Sequence, residues 1–277
     1  MINKWIITGD THGQVDTRLK NIELNCDIIS KETTGIIILG DSGINYYLNK
    51  TDKKWKKVIN NHGIYVYCVR GNHEERPENI STMKKIFDEN VNNFVWCEPD
   101  YTFIRYFIDG ASYSLVQEEQ TLRVLIVGGA YSVDKDWRLQ RGAQWFPEEQ
   151  LSLEEMSTIL QTYDDEYFDL VLTHTCPYSW QPRDLFLGAI NQESVDNSME
   201  LWMERLKNRI HWNIWLFGHY HDDRLVRPHV EMYYTDYENL SDILNRWNYY
   251  NTTGQIDWWL KKDPNFYIDT PREAEDA

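Results

Sequence analysis

Long apolar runs are what this 277-residue chain most clearly lacks. No uninterrupted apolar stretch reaches the ~18 residues that a membrane span needs, so the sequence predicts no association with a membrane. The opening MINKWIITGD passes from a lysine directly into a strand-like run and then into a polar motif. Because this leaves no room for the apolar core of a signal peptide, we expect a cytoplasmic protein.

Basic residues and cysteines are also scarce. Lys and Arg number 28 against 44 Asp and Glu, and the formal net charge is −16. Excess negative charge on the surface disfavours binding of a nucleic-acid backbone over a large area, so nucleic acid is not a favoured partner. The four cysteines are scattered, without the spacing of a zinc ribbon or a disulfide framework; they are Cys26, Cys68, Cys97 and Cys176. The sequence carries no prediction of oligomeric state.

Short apolar runs alternate with segments of helical character along most of the chain. Such runs are typical of strands that are covered on both faces, and the alternation predicts an α/β sandwich. The predicted strands are Trp5–Thr8, Ile36–Leu39, Ile64–Val69, Val124–Val127, Leu170–Thr173 and Ile214–Phe217. The predicted helices are Val15–Cys26, Thr51–Asn61, Pro147–Tyr163 and Ser194–Ile210.

Two regions depart from this alternation. Tyr101–Gly129 contains strand-like pieces without a helix between them, which predicts a β-meander or hairpin and therefore mixed sheets. From about Glu231 the chain becomes rich in Tyr, Trp, Asn and Asp and ends in TPREAEDA. We expect one domain over residues 1–230, with a packed C-terminal extension over 231–277 that ends in a frayed acidic tail.

Five short polar motifs follow predicted strands directly. They are GDTHG (9–13), LGDSG (39–43), RGNHE (70–74), THTCP (173–177) and FGHYH (217–221). In open α/β sheets, ligand sites form outside the carboxyl ends of strands, so we expect the five turns to meet at one rim. Their Asp and neutral His side chains are ligands suited to manganese, iron or zinc.

The histidines are concentrated in these motifs. Five of the eight stand there, and His62, His211 and His229 are left as ordinary residues. The five are His12, His73, His174, His219 and His221. A single Asp-x-His or Gly-His pair is more often a capped turn or a buried core histidine, but five such turns together favour a metal site.

In these motifs the sequence resembles the calcineurin-like metallophosphoesterases, whose ordered signature is D-x-H, G-D, G-N-H-[DE], a lone His and G-H-x-H. The resemblance implies a four-layer α/β-β-α sandwich with two divalent cations, for which we expect manganese, with iron or zinc as alternatives. One cation would be held by Asp10, His12, Asp41 and His221. The other would be held by Asp41, Asn72, His174 and His219, so that Asp41 bridges the pair.

The same resemblance implies the chemistry. A hydroxide that bridges the two metals would attack the phosphorus atom of a phosphate ester. His73, in the G-N-H-E block, would donate a proton to the leaving group; the alternative is that it only hydrogen-bonds the phosphate. The sequence therefore predicts a metal-dependent hydrolase of phosphomonoesters or phosphodiesters.

The sequence departs from the protein-phosphatase branch, which continues its second block as G-D-x-V-D-R-G. Here GDSGINY places Ile44 and Asn45 where that branch has its second Asp and an Arg that clamps phosphate. Asn45 is therefore a candidate for substrate binding. Arg76, Arg138 and Arg141 are candidates to replace the clamp, with Arg138 preferred.

These departures favour a small phosphorylated substrate, possibly a nucleotide. Several tyrosines follow the motifs or strand ends and are candidates to stack a nucleobase; they are Tyr46, Tyr47, Tyr131, Tyr178 and Tyr220. The alternatives are a protein Ser/Thr phosphatase, a nuclease, or a scaffold of the same fold with little turnover.

Overall fold

The computed structural model describes residues 1–26 and 30–255. These residues form thirteen strands, six α-helices and four short 3-10 helices. The strands are β1 Lys4–Thr8, β2 Thr34–Ile38, β3 Tyr65–Cys68, β4 Lys84–Asp88, β5 Asn93–Cys97, β6 Ile104–Tyr106, β7 Ser112–Gln117, β8 Gln120–Val127, β9 Tyr167–Thr173, β10 His211–Phe217, β11 Arg224–Arg227, β12 Val230–Met232 and β13 Tyr237–Asn239. The helices are α1 Val15–Asn25, α2 Lys50–Asn60, α3 Lys135–Arg141, α4 Leu153–Thr162, α5 Ser198–Lys207 and α6 Leu240–Thr253.

The first sheet is built around β1, β2 and β3, which lie side by side in parallel. Their register places Ile6 opposite Ile36 and Ile36 opposite Val66. All three side chains are buried, as expected of strands that are covered on both faces. The strand order across the sheet is β13-β1-β2-β3-β6-β5-β4.

The second sheet is built around β8, β9 and β10, which are also parallel. Val124 lies opposite Leu170, and Leu170 lies opposite Ile214. The strand order is β11-β12-β10-β9-β8-β7. Because β4–β5, β7–β8 and β11–β12 pair antiparallel, both sheets are mixed, as the sequence predicted.

Side chains that alternate along the central strands create three apolar layers. Ile7 and Ile37 point into the core between the two sheets. Ile6 and Ile36 point the other way, toward α1 and α2, and Val171 packs beneath α4 and α5. The layers are therefore helix, sheet, sheet and helix, which confirms the predicted four-layer α/β-β-α sandwich. Among the described residues, no helix is both long and apolar enough to cross a bilayer.

Two helices are shorter than the sequence predicted. The helix predicted over Pro147–Tyr163 begins at Leu153, because Ser152 and Glu155 form a reciprocal capping box that fixes its start. The helix predicted over Ser194–Ile210 is confined to Ser198–Lys207. The backbone just before it is held by Asp196, whose carboxylate accepts a hydrogen bond from the Ser198 N–H at 2.9 Å.

The segment Tyr101–Gly129 is divided between the sheets. β7 and β8 form the expected hairpin in the second sheet. β6, however, pairs in parallel with β3 in the first sheet, so a continuous meander was the wrong alternative. The apolar side chains of Ile104 and Tyr106 account for this pairing, because both are buried in the core layer that lies under α1 and α2.

Residues 231–255 contribute to both sheets. β12 pairs with β10, and β13 pairs antiparallel with β1. α6 packs on the core through Leu240, Ile243 and Trp247. The predicted acidic tail lies outside the described residues, and the division of the chain at residue 230 stays a prediction.

Candidate metal centre

All five polar turns lie at the carboxyl ends of parallel strands. Asp10 and His12 follow β1, Asp41 follows β2, and Asn72 and His73 follow β3 of the first sheet. His174 follows β9, and His219 and His221 follow β10 of the second sheet. Because the two sheets are stacked, both sets of turns meet at one rim of the sandwich, where the strand ends were expected to form a site.

The backbone of these turns bends sharply to bring the side chains together. His12, Asp41, His219 and His221 all have positive φ, with values of 44°, 45°, 72° and 57°. Such conformations are unfavourable for residues with a side chain and concentrate at functional sites. The two ligands of each D-x-H or H-x-H pair therefore converge through a turn rather than through an extended strand.

Two glycines make room for the buried carboxylates. A Cβ atom on Gly71 would lie 2.0 Å from Asp41 Oδ1, and one on Gly218 would lie 2.3 Å from Asp10 Oδ1. No side chain fits at such distances. The glycines of the RGNHE and FGHYH motifs are thus needed because another strand's carboxylate occupies the space beside them.

A first group of potential metal ligands consists of Asp10, His12 and His221. The Nε2 atoms of the two histidines lie 2.8 Å apart. Asp10 Oδ2 lies 3.8 Å from His12 Nε2 and 3.6 Å from His221 Nε2. The Asp10 carboxylate also accepts a hydrogen bond from the backbone N–H of His219 at 3.1 Å, which fixes its orientation.

A second group surrounds Asp41, which is buried between the two sheets. Asp41 Oδ2 lies 3.9 Å from His12 Nδ1 and 3.9 Å from His73 Nε2. Asp41 Oδ1 lies 3.6 Å from His174 Nε2. The carboxylate therefore faces both groups, which is the position that a bridging ligand requires. The ring of His219 lies next to that of His174, with centroids 5.0 Å apart.

Asn72 is held in one orientation by a chain of hydrogen bonds. The Ser132 hydroxyl donates to Glu149 Oε2 at 2.5 Å, and the Ser132 N–H donates to Glu149 Oε1 at 2.9 Å. Because its proton is used on Glu149, the Ser132 hydroxyl accepts from Asn72 Nδ2 at 2.8 Å. The Asn72 carbonyl oxygen then faces His174 Nε2 at 2.8 Å.

His174 presents a lone pair to that same oxygen. Its Nδ1–H donates to the Leu39 carbonyl at 2.8 Å, which leaves Nε2 unprotonated. Burial lowers the pKa of His174, so the ring stays neutral. Two acceptors that face each other at 2.8 Å repel unless a cation attracts both. The donor set of Asn72 and His174 therefore fits a divalent metal ion.

The pKa shifts of the other candidate ligands also fit a site that holds a cation. Burial, followed by the nearby Asp41 carboxylate, raises the pKa of Asp10. Burial lowers the pKa of His219, and burial followed by His12 lowers that of His221 to about 4. For Asp41, burial is outweighed by His73, His174 and His12, which lower its pKa. Neutral imidazoles are the form that binds a metal, and a cation beside Asp10 would offset the burial and the Asp41 charge that raise the pKa of Asp10.

His73 lies at the rim of the centre and contacts Arg138. The Arg138 Nη2 atom lies 2.6 Å from His73 Nδ1 and also contacts Nε2. Arg138 is buried in α3, where its Nε donates to Asp134 at 2.8 Å. Its Nη1 atom is buried and has no hydrogen-bond partner among the described residues.

The structure places the remaining candidates for substrate binding in other surroundings. Arg76 donates to the backbone carbonyls of Glu148 and Gln150 at 2.9 and 2.8 Å, and to the Glu155 carboxylate at 2.7 Å. These contacts join the RGNHE turn to the start of α4. Asn45 is fully buried, and neither polar atom of its side chain has a partner within the described part of the chain.

The sequence indicates no role for several residues beside the centre. Ser132 and Glu149 stand in no motif, although they orient Asn72. Tyr234 stacks on His221 with ring centroids 4.8 Å apart. Glu74 belongs to the RGNHE motif, and its carboxylate accepts from the Ser42 hydroxyl and from the Gly43 N–H. Burial raises the pKa of Glu74 to about 7.

A family model described as calcineurin-like phosphoesterase matches residues 4–223. The chain belongs to the calcineurin-like phosphoesterases. It is accordingly a metal-dependent hydrolase of phosphoesters. The clustered Asp and His side chains of this calcineurin-like phosphoesterase indicate a dinuclear site for divalent metal ions. The matched region ends before Tyr234, β12, β13 and α6, which therefore lie outside the part that the family describes.

Among solved structures, TT1561 of Thermus thermophilus is similar at 13% sequence identity and a TM-score of 0.38. The match covers 79% of this chain and 82% of that one. No curated protein matches the chain.

Proposed function

We propose that this enzyme hydrolyses small phosphate esters, with nucleotides favoured as substrates, and uses two divalent cations. Manganese is the expected metal, and iron or zinc are the alternatives. One cation is held by Asp10, His12, Asp41 and His221, and the other by Asp41, Asn72, His174 and His219. The observation that carries the assignment is the pair of facing acceptors, His174 Nε2 and Asn72 Oδ1, 2.8 Å apart.

The chemistry needs both cations because the attacking water and the phosphate each require positive charge. Two metals at one site lower the pKa of a bound water, orient it and neutralise the non-bridging oxygens of the ester. Among the protein's own groups, Asp41 lies between the two ligand groups. Ser132 and Glu149 keep the carbonyl oxygen of Asn72 aimed at the second of them.

His73 and Arg138 serve the substrate in this proposal. His73 donates a proton to the leaving oxygen from its imidazolium form, which the Asp41 carboxylate 3.9 Å from Nε2 favours. The contact with Arg138, whose N–H groups can only donate, fits the neutral ring that remains after the transfer. Arg138 supplies the guanidinium that the Asn45 position lacks, and its contact with His73 places it beside the centre. A guanidinium at this place replaces the phosphate clamp of the protein-phosphatase branch. The cytoplasmic location expected from the sequence stays a prediction.

The test is hydrolysis of p-nitrophenyl phosphate and bis(p-nitrophenyl) phosphate, with Mn²⁺ added or chelated. We expect turnover that requires the metal, and the preferred ester distinguishes a monoesterase from a diesterase. On an ester with an alkoxide leaving group, such as glycerol 3-phosphate, His73→Ala should lower kcat by roughly 10²- to 10⁴-fold, as loss of a general acid does. The loss should be much smaller on the p-nitrophenyl esters, whose phenolate leaves without being protonated. His211→Ala is the matched control, because His211 is exposed at the opposite end of β10.

The alternatives give different results in the same preparation. If neither ester is hydrolysed although the protein holds two Mn²⁺ ions, the scaffold alternative is favoured. Salt-sensitive cleavage of single-stranded DNA or RNA would favour a nuclease. Phosphate release from phosphoserine peptides alone would favour a protein phosphatase.

A further inference from the structure

A cavity of about 340 Å³ opens directly beside the metal centre. This volume lies within the range of about 300–1,000 Å³ that is typical of pockets for small molecules. His12 and His73 form the wall that the cavity shares with the centre. Tyr46, Tyr47 and Trp55, from the segment after β2 and from α2, line the part farther from it. A substrate with its phosphate at the centre therefore has a defined space for another group.

The lining is aromatic and carries no carboxylate, Lys or Arg side chain among the described residues. The uncharged lining contrasts with the net charge of −16 on the whole chain. Tyr46 and Tyr47 pack edge to face with centroids 4.9 Å apart, and Tyr46 also contacts Phe146 at 6.4 Å. These contacts hold the ring of Tyr46 in place. A neutral planar group gains from such surroundings, whereas a charged group finds no partner.

The cavity also offers hydrogen-bonding capacity at its edge. Gln14 lines it and stands at the N-terminus of α1, but its side chain makes no capping hydrogen bond to that helix. Its carboxamide therefore keeps both a donor and an acceptor for a ligand. A flat, neutral ring system with polar edges matches this combination of aromatic faces and one carboxamide.

We propose that this cavity is the leaving-group subsite and binds the nucleobase of a nucleoside phosphate. This inference rests on the proposed function, because it places the phosphate at the metal centre. The leaving group enters the cavity because His73, the proton donor in that proposal, forms part of its wall. Tyr46, Tyr47 and Trp55 supply the stacking faces, and Gln14 contacts the edge of the base.

The test compares AMP and ribose 5-phosphate as substrates of the Mn²⁺-loaded enzyme. Both release the same kind of primary alkoxide, so the ratio of their kcat/KM values reports the base alone. We expect AMP to be favoured about 10- to 100-fold, the effect of stacking one base. Trp55→Ala and Tyr47→Ala should bring this ratio toward one. Tyr249→Ala, a control that removes an exposed ring on α6, should leave it unchanged.

The outcomes separate this inference from the proposed function. If both esters are hydrolysed at equal kcat/KM, or if the preference for AMP survives in both pocket variants, the subsite assignment is wrong. If neither ester is hydrolysed, calorimetric titration with adenosine and with ribose tests whether the cavity binds the nucleobase. Adenosine binding that is weakened by Trp55→Ala keeps the nucleobase subsite and rejects only the proposed reaction. Absence of adenosine binding overturns the subsite.

Discussion

Replacing Glu149 by Gln should weaken one of the two metal positions although Glu149 is not itself a ligand. The carboxylate accepts three hydrogen bonds, two from Ser132 and one from Trp145 Nε1 at 2.8 Å. A carboxamide has only one oxygen. Because Oε2 accepts from both the Ser132 hydroxyl and Trp145, the carboxamide oxygen takes that place and the NH₂ group faces the Ser132 N–H. Two donors then repel each other, Ser132 is displaced, and the hydrogen bond that orients Asn72 is weakened.

The size of the loss in metal affinity follows from the hydrogen bonds that orient Asn72. Loss of a partner that orients a metal ligand typically reduces metal affinity by about 10- to 100-fold. That factor corresponds to about 1.4 to 2.8 kcal/mol of binding free energy. We expect the loss at the Asn72–His174 position and not at the Asp10–His221 position, because the hydrogen bonds of Glu149 reach only the former.

Titration of the metal-free protein with Mn²⁺, followed by calorimetry, measures both positions. The variant should show one affinity close to that of the wild type and one that is weaker. Glu154→Gln is the matched control, since it makes the same change on an exposed residue of α4. Thermal unfolding in chelator checks that each variant is folded. Two unchanged affinities in Glu149→Gln would refute the reasoning.

Three further changes test other parts of the structure. Burial raises the pKa of Glu200 to about 7 from 4.5; the stability that protonated Glu200 contributes is complete below pH 4.5 and is lost as the pH rises through 7. The free energy of unfolding of Glu200→Gln should therefore exceed that of the wild type by an amount that grows from pH 5 to pH 8, up to about 3 kcal/mol in urea unfolding. A difference in unfolding free energy that does not change with pH would contradict this. Ser152→Ala should cost about 1 kcal/mol of unfolding free energy, because it removes the cap of α4; no change would mean that the capping box is not formed. Gly218→Ala should abolish Mn²⁺ binding at the Asp10 position, since its Cβ would meet the carboxylate at 2.3 Å; retained binding would show that the turn can shift.

The parts of the fold that the sequence predicted are those with local signals. β1, β2, β3, β8, β9 and β10 are short apolar runs, and each run marks a buried strand wherever it occurs. The five polar turns could be assigned to one rim because parallel strands end on the same edge. The positive φ values of His12, Asp41, His219 and His221 could not be predicted, since they depend on how close the neighbouring strands approach.

What the sequence did not predict depends on contacts between distant segments. β6 joins the first sheet because Ile104 and Tyr106 are buried beside β3, and no local pattern distinguishes that sheet from the other. The sequence names Arg138 as the preferred clamp but cannot show which residue it contacts, and α3 places it against His73. Ser132 and Glu149 orient a ligand from 60 and 77 residues away in sequence, which single residues of common type cannot signal.

The central claim is that two cations share Asp41 at the rim of the two sheets. Crystals grown with Mn²⁺ and measured at the manganese absorption edge test it directly. The account predicts two anomalous peaks about 3.5–4 Å apart, both next to the Asp41 carboxylate, with Asn72 and His174 at one and Asp10 and His221 at the other. A single peak, or two peaks that do not share Asp41, would contradict it.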